Sequence, residues 1–273
     1  MFPNGHFYST IPDISSIQKN EDAIFNRQVN KITGIDLNKG RQMENLISIF
    51  SNYQNTSFQE NKTTNQRYYY INPAFSYSDA MILFTMIKTA NPKRIIEVGS
   101  GYSSALMLDI NQNHFQNSIQ INFIEPYPEL LNKLITEEDR QKTQIHPKTL
   151  QEIDLSLFQQ LEENDILFID SSHVSKIDSD VNKIIFSILP ILKKGVYIHF
   201  HDIFFPFEYP KEWLYEGRYW NENYILRAFL QDNPNYQIEY FSTYISLKHS
   251  ELIRRNAPLC QAHRGSSFWM KKI

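Results

Sequence analysis

An α/β architecture with a doubly wound, mostly parallel sheet is what this chain predicts, and three observations carry the prediction. Short apolar runs alternate with helix-periodic segments from Arg94 onward, the pattern of parallel strands joined by right-handed crossovers. Two of the runs, Ile166-Leu-Phe-Ile169 and Val196-Tyr-Ile-His-Phe200, are almost continuously apolar, as strands covered on both faces must be. The first run, Arg94-Ile-Ile-Glu97-Val98, breaks into a glycine-rich turn, Gly99-Ser-Gly101, and restarts as a helix at Tyr102-Ser-Ser104.

Residues 1–70 read as a partly helical N-terminal extension covering the site, polar and rich in Asn and Gln, with helices expected near Ile14–Asn30 and Arg41–Tyr53. A helix over 76–90, with capping serines and a broad apolar face, follows and is closed by Pro92. Strands are then expected at Arg94–Val98, Ile121–Glu125, Thr143–His146, Asp165–Asp170 and Val196–Asp202. The helices between them fall near Ser103–Asn113, Glu129–Thr136, Leu155–Glu162 and Ser179–Leu192. A helix at Ile225–Gln231 and strands at Gln237–Phe241 and Ser267–Lys271 complete a seven-stranded domain over 71–273. The segment 203–224 is dense in aromatic residues, carries two prolines and has no clean period. It reads as a lid-like loop walling a pocket, or as a packed loop or subunit contact.

At 273 residues the chain can bury a large core. With 27 basic against 30 acidic side chains there is no bulk charge to draw nucleic acid. The apolar stretches are too short for a bilayer, and the N-terminus lacks a signal-peptide pattern. The single cysteine, Cys260, excludes an internal disulfide and fits a reducing compartment. The expectation is a cytoplasmic protein with a small-molecule partner, neither nucleic acid nor membrane, and with homo-oligomerisation left open.

In doubly wound sheets ligands bind beyond the carboxyl ends of the strands, and there the unusual polar residues fall. Amides of Gly99, Ser100 and Gly101 at a helix N-terminus favour electronegative ligand groups. Glu125, ending the second strand before Pro126, is placed to accept from ribose hydroxyls, so a nucleoside-containing cofactor is implied. A dinucleotide fingerprint would have glycine where Ser104 stands. Glu97 would repel a pyrophosphate but suits a cationic or amine-bearing ligand. The fourth strand ends Asp170-Ser-Ser-His173 and the fifth His199-Phe-His201-Asp202, so Asp170, His173, His201 and Asp202 come within reach of one another. Buried polar groups are costly unless paired, which leaves two readings: a metal held by Asp170, His201 and Asp202, or a satisfied hydrogen-bond network. Carboxylates favour Mg, Mn or Ca, and imidazole moves the preference toward Fe or Zn. His199, deeper in the strand, is read as a core histidine bonded to backbone.

From about Arg67 to Phe241 the order of motifs resembles the class I S-adenosylmethionine-dependent methyltransferases, which share a Rossmann-like sheet. Within them it is similar to a bacterial branch related to macrocin-type and catechol-type O-methyltransferases. Glu97-Val-Gly99-Ser100-Gly101 resembles motif I, whose acid lies near the methionine moiety, and Phe123-Ile-Glu125-Pro126 resembles motif II with its ribose-binding acid. Gln151 falls just past the third strand, where such enzymes contact the adenine. In metal-dependent members, acids ending strands four and five bind a divalent ion that also chelates the substrate, and Asp170 and Asp202 match those positions. Catechol-type enzymes follow the second acid with Asn, here Ile203, and use as base a Lys three residues past the first acid, here His173. The resemblance therefore implies S-adenosylmethionine as cofactor, an acceptor hydroxyl on a sugar, phenolic or natural product, and His173 with Asp170 as catalytic groups, with a divalent cation as an optional aid. Two other readings stand beside it. One is a non-haem metal-dependent hydroxylase or hydrolase using His201-Asp202, with the glycine turn only structural. The other is a non-catalytic nucleoside-binding protein on the same fold. A nicotinamide dehydrogenase ranks below both, because of Glu97 and the absent third glycine.

Overall fold

The computed structural model describes residues 2–56, 58–64 and 66–273. Seven strands, β1 Arg94–Val98, β2 Gln120–Ile124, β3 Gln144–His146, β4 Ile166–Ile169, β5 Tyr197–Phe200, β6 Tyr236–Phe241 and β7 Phe268–Lys272, form one sheet. Their order is β3-β2-β1-β4-β5-β7-β6. The pairs among β1 to β5 are parallel, while β7 lies antiparallel between β5 and β6. The strand order reverses beside β1, the position where doubly wound sheets open a crevice. Register fixes what stands there: Val98 pairs with Ile124 and Ile169, and Ile169 with Phe200. Gly99, Glu125, Asp170 and His201 therefore all leave the sheet at one level. β4 and β5 are buried along their whole length, which explains their unbroken apolar runs.

The acids lie beyond the ladder. β4 stops one residue before Asp170, and β5 stops at Phe200, short of the expected Asp202. Backbone bonds from Asp170 to Val98 (2.8 Å) and from His201 to Ile169 (2.9 Å) carry the pairing one step further. The chain then turns sharply, with His173 at φ 59° and Asp202 at φ 56°. Such conformations are costly for side-chain-bearing residues and cluster where a site over-determines the backbone.

The N-terminal span is of two kinds. Instead of one helix over 14–30, two short helices form, Ile14–Lys19 and Glu21–Phe25, and neither buries a side chain. The helix Lys39–Tyr53 instead contributes Leu46 and Ile49 to the main core, joined by Phe58, Tyr68 and Tyr70. Arg67 clamps this part: its guanidinium donates to Asp109 (2.7 Å) and to Asp139 (2.7 and 2.6 Å). Residues 1, 57 and 65 of the expected extension lie outside the described residues.

The helix Tyr77–Ala90 is buried on nearly every side and ends at Asn91, in the left-handed region at φ 51° before Pro92. Ser76 occupies the cap position, but its hydroxyl donates to the Tyr70 carbonyl rather than to the helix. The aromatic segment is not all loop. It holds a short helix, Lys211–Tyr215, and the next helix starts at Glu222 rather than Ile225. Between β6 and β7 three further helices form, Ser242–Lys248, Ser250–Asn256 and Pro258–Ala262, which periodicity did not predict. No helix among the described residues is long and apolar enough to cross a membrane.

Candidate active site

The turn after β1 passes directly under the exit of β4. Gly99 sits at φ 82°, and a Cβ built there would lie 1.8 Å from the Asp170 carbonyl oxygen, so only glycine fits. Gly101 is extended, and a Cβ there would meet only Leu130 at 3.4 Å, so its backbone does not demand glycine. Glu125 reaches back over the turn: Oε2 accepts from the Ser100 amide at 3.0 Å and Oε1 from the Tyr127 amide at 2.8 Å. A carboxylate offers about four acceptor positions, so two remain for a ligand's hydroxyls. Beyond Pro126, Tyr127 and Leu130 stand exposed on the same side, an apolar surface that a bound nucleoside would cover. The chemistry of this corner fits a nucleoside cofactor.

Glu97 is placed differently from what the resemblance implies. It is fully buried, and its two oxygens accept from the hydroxyls of Ser103 (2.6 Å) and Ser104. Burial pushes its carboxyl up to about 8, against the serine bonds that favour ionisation. The acid braces the first turn of the helix Tyr102–Phe115 from below instead of facing a ligand. Gln151 lies in a short 3₁₀ turn, and its amide donates to the Asp178 carbonyl, tying two loops together.

Beyond β4 and β5, the structure brings together Asp170, His173, His201 and Asp202. His173 points Nε2 toward Asp170 Oδ1 (3.5 Å) and Asp202 Oδ2 (3.7 Å), while its Nδ1 meets Glu222 Oε2 at 2.8 Å. Trp220 stacks on the imidazole with ring centroids 4.4 Å apart. Burial alone would lower this histidine's pKa, but Asp170 and Glu222 outweigh it and raise it to about 10. Burial opposes the charge on Asp202, yet His201, His173 and the Ser266 hydroxyl hold it down at about 2. His201 lies beneath: Nδ1 is 3.6 Å from Asp170 and 3.4 Å from Asp202, and Nε2 is 3.4 Å from Asp79. Burial disfavours its charge, but these three carboxylates together raise its pKa well above the ordinary value. His201, expected as the ligand histidine, is thus placed as an internal counter-ion.

Ligand atoms of Asp170, His173 and Asp202 all lie within 4.8 Å of one another, a spread that small side-chain shifts would close around one divalent ion. Asp170 and Asp202 supply carboxylate oxygens that fit such an ion, and Glu222 orients the His173 imidazole beside them. His199 is the core histidine expected, fully buried and stacked on Phe168 with ring centroids 3.8 Å apart, and the Ile169 backbone is its polar neighbour, although neither ring nitrogen meets strict hydrogen-bond geometry.

Two acids that contact this cluster escaped the sequence reading. Glu222 begins the helix after the aromatic segment, fully buried, and its neighbour Asn221 and its own amide are anchored on the His173 carbonyl. Nothing in its sequence context marks it. Asp79 did leave a signal, an acid inside the apolar face of the helix Tyr77–Ala90. It accepts from the Ser266 amide and the Ser267 hydroxyl, and a Cβ on Gly265 would lie 2.1 Å from its Oδ1.

The family model of a methyltransferase domain matches residues 96–203, which span β1 to the end of this cluster. A protein of Archaeoglobus fulgidus carrying no assigned function is 38% identical over 168 residues, covering 60% of this chain and 75% of the relative. The chain belongs to the methyltransferase family whose domain model it matches. Among solved structures, the SAH-bound Podospora anserina methyltransferase PaMTH1 is 12% identical with a TM-score of 0.46, covering 90% of this chain and 100% of that one. The O-methyltransferase TomG of Streptomyces achromogenes, in complex with SAM, is 11% identical with a TM-score of 0.45, covering 94% and 96%.

Proposed function

We propose that the protein transfers a methyl group from S-adenosylmethionine to a hydroxyl of a small acceptor such as a sugar, phenol or natural product. The observation that carries the reading is the Glu222–His173 pair. Glu222 binds Nδ1, so Nε2 is presented at the strand ends, between Asp170 and Asp202. The amides of Ser100 and Gly101, expected as cofactor donors, are taken up by Glu125 and the Ser104 hydroxyl, while Glu125 would hold the cofactor through its remaining acceptor positions. When bound, it supplies the methyl carbon: an O–C bond forms as the C–S bond breaks, and that electron pair stays on sulfur.

The proton of the acceptor hydroxyl goes to His173 Nε2 and from there to solvent. In the ligand-free site the imidazole keeps its own proton, because Asp170 and Glu222 attract it. Positive charge brought against Asp170 and Asp202 offsets that attraction and frees Nε2 to accept. A divalent ion held by Asp170 and Asp202 would lower the hydroxyl's pKa and fix its position. Holding the acceptor oxygen in line with the methyl carbon supplies much of the rate, up to about 7–11 kcal/mol in well-aligned systems.

The test is transfer of labelled methyl from S-adenosylmethionine to a panel of phenols and sugars by wild type, His173→Gln and chelator-treated protein. Labelled methyl ether formed by wild type and lost in His173→Gln supports the reading. Undiminished transfer by His173→Gln would remove the histidine as base, and undiminished transfer after exhaustive chelation would remove the ion.

A further inference from the structure

Next to His173 lies a cavity of about 590 Å³, bounded on one side by the surface strap of residues 10–25 and on the other by the aromatic segment. Its walls include Ile24, Phe25, Leu214, Tyr219, Trp220 and Tyr224. Val174 and Ser175, the residues directly after His173, form part of the lining, and Trp220 is shared between the cavity wall and the face of the imidazole. The volume is that of a small-molecule site.

Several polar groups of this wall already have partners. The Glu208 carboxylate accepts from the Tyr224 hydroxyl, and Arg218 pairs with Glu216 at 3.0 Å while its guanidinium lies 4.6 Å from the Trp213 ring. The strap is itself fastened from outside, with Glu21 bonded to Lys211 (2.6 Å) and to the Tyr215 hydroxyl (2.7 Å). Lys176 and Thr10 also line the cavity, but most of its wall is aromatic and aliphatic side chain. A sugar seated there would press several of its hydroxyls against the apolar part of the wall, a cost of about 1–3 kcal/mol for each group left unpaired. A flat aromatic ring would stack on the walls at little such cost.

We infer that this cavity holds the ring system of an aromatic acceptor, a phenol of one or more fused rings whose hydroxyl points past Trp220 toward His173. The inference rests on the proposed methyl transfer and narrows its acceptor from polyols to phenols. The strap of residues 10–25 is then a substrate-binding element, and its two short helices serve the cavity rather than the core, in keeping with their burying no side chain of their own.

The experiment measures 2-naphthol binding by quenching of tryptophan fluorescence in the presence of saturating S-adenosylhomocysteine. Wild type is compared with Ile24→Asp and Leu214→Glu, and S-adenosylhomocysteine affinity is measured on each by calorimetry. Ile24 lies in a helix without buried residues, so its variant keeps the fold, and the second variant probes the opposite wall. The expected result is naphthol binding to wild type, weakened at least tenfold in both variants, with S-adenosylhomocysteine affinity unchanged and glucose unable to compete. If the cofactor product binds all three proteins but naphthol binds none, or binds them equally, the cavity is not the acceptor site and methyl transfer stands. If naphthol binds and S-adenosylhomocysteine does not, the cavity is aromatic but serves no methyl acceptor. If neither binds, the inference falls together with the reading beneath it.

Discussion

Replacing Glu97 by Gln keeps the shape of a fully buried side chain and removes its ability to ionise. The folded chain holds the Glu97 proton up to about pH 8, whereas an unfolded chain releases it near 4.5. Because the folded-state value is raised, the stability linked to this proton is complete below pH 4.5 and is lost as pH rises through 8. The whole shift corresponds to about 5 kcal/mol, of which about 3 kcal/mol falls between roughly pH 5.5 and 8.5. The substituted amide has no proton to lose. In denaturant titrations at those two pH values, the stability difference between Glu97→Gln and wild type should therefore grow by about 3 kcal/mol in favour of the variant toward the higher pH. All other titrating groups are common to both chains and cancel in the difference. Stability differences equal at both pH values, within about 0.5 kcal/mol, would show that Glu97 ionises as an ordinary carboxylate and refute the buried-brace account.

Three other outcomes follow from contacts in the structure. Gly99→Ala forces a Cβ against the Asp170 carbonyl at a positive φ and should cost roughly 3 kcal/mol or more in denaturant unfolding, a loss within experimental error of zero being contradictory. Arg67→Met leaves Asp109 and Asp139, both nearly buried, without their cation, and should destabilise by about 3–5 kcal/mol at neutral pH, recovering partly in acid as the carboxylates take up protons. Glu222→Gln keeps packing but loses the carboxylate that orients His173 and stabilises the imidazolium formed when it takes the acceptor's proton, so kcat should fall about 100-fold or more with KM little changed, and an equal loss in Glu222→Asp and Glu222→Gln would point to packing instead.

β4 and β5 were the most legible because a parallel strand covered on both faces must be apolar throughout, and the seven expected runs match the seven strands to within two residues at each end. Helices failed where they are short. Ser242–Lys248, Ser250–Asn256 and Pro258–Ala262 each span two turns or fewer, too few residues for a 3.6-residue period to register. The strap of 14–25 splits because Asn20 ends one helix and caps the next. At the site, residues at strand ends could be read from position alone, as Gly99, Glu125, Asp170, His173, His201 and Asp202 were. Glu222 could not, since it reaches His173 from 49 residues away along the chain. Nor could a linear pattern separate Glu97 from a ligand-facing acid: Ser103 and Ser104 turn back onto it only once the helix has formed.

The measurement that bears most directly on the account is calorimetric titration of S-adenosylhomocysteine into wild type and Glu125→Ala. Glu125 is the carboxylate that spans the Ser100 and Tyr127 amides, and it keeps acceptor positions for ribose hydroxyls at this turn. The account predicts binding on the order of micromolar to wild type, weakened at least tenfold in the variant. A folded wild-type protein that takes up no S-adenosylhomocysteine, or a Glu125→Ala variant that binds it equally well, would contradict the assignment of the Gly99–Glu125 corner as the cofactor site.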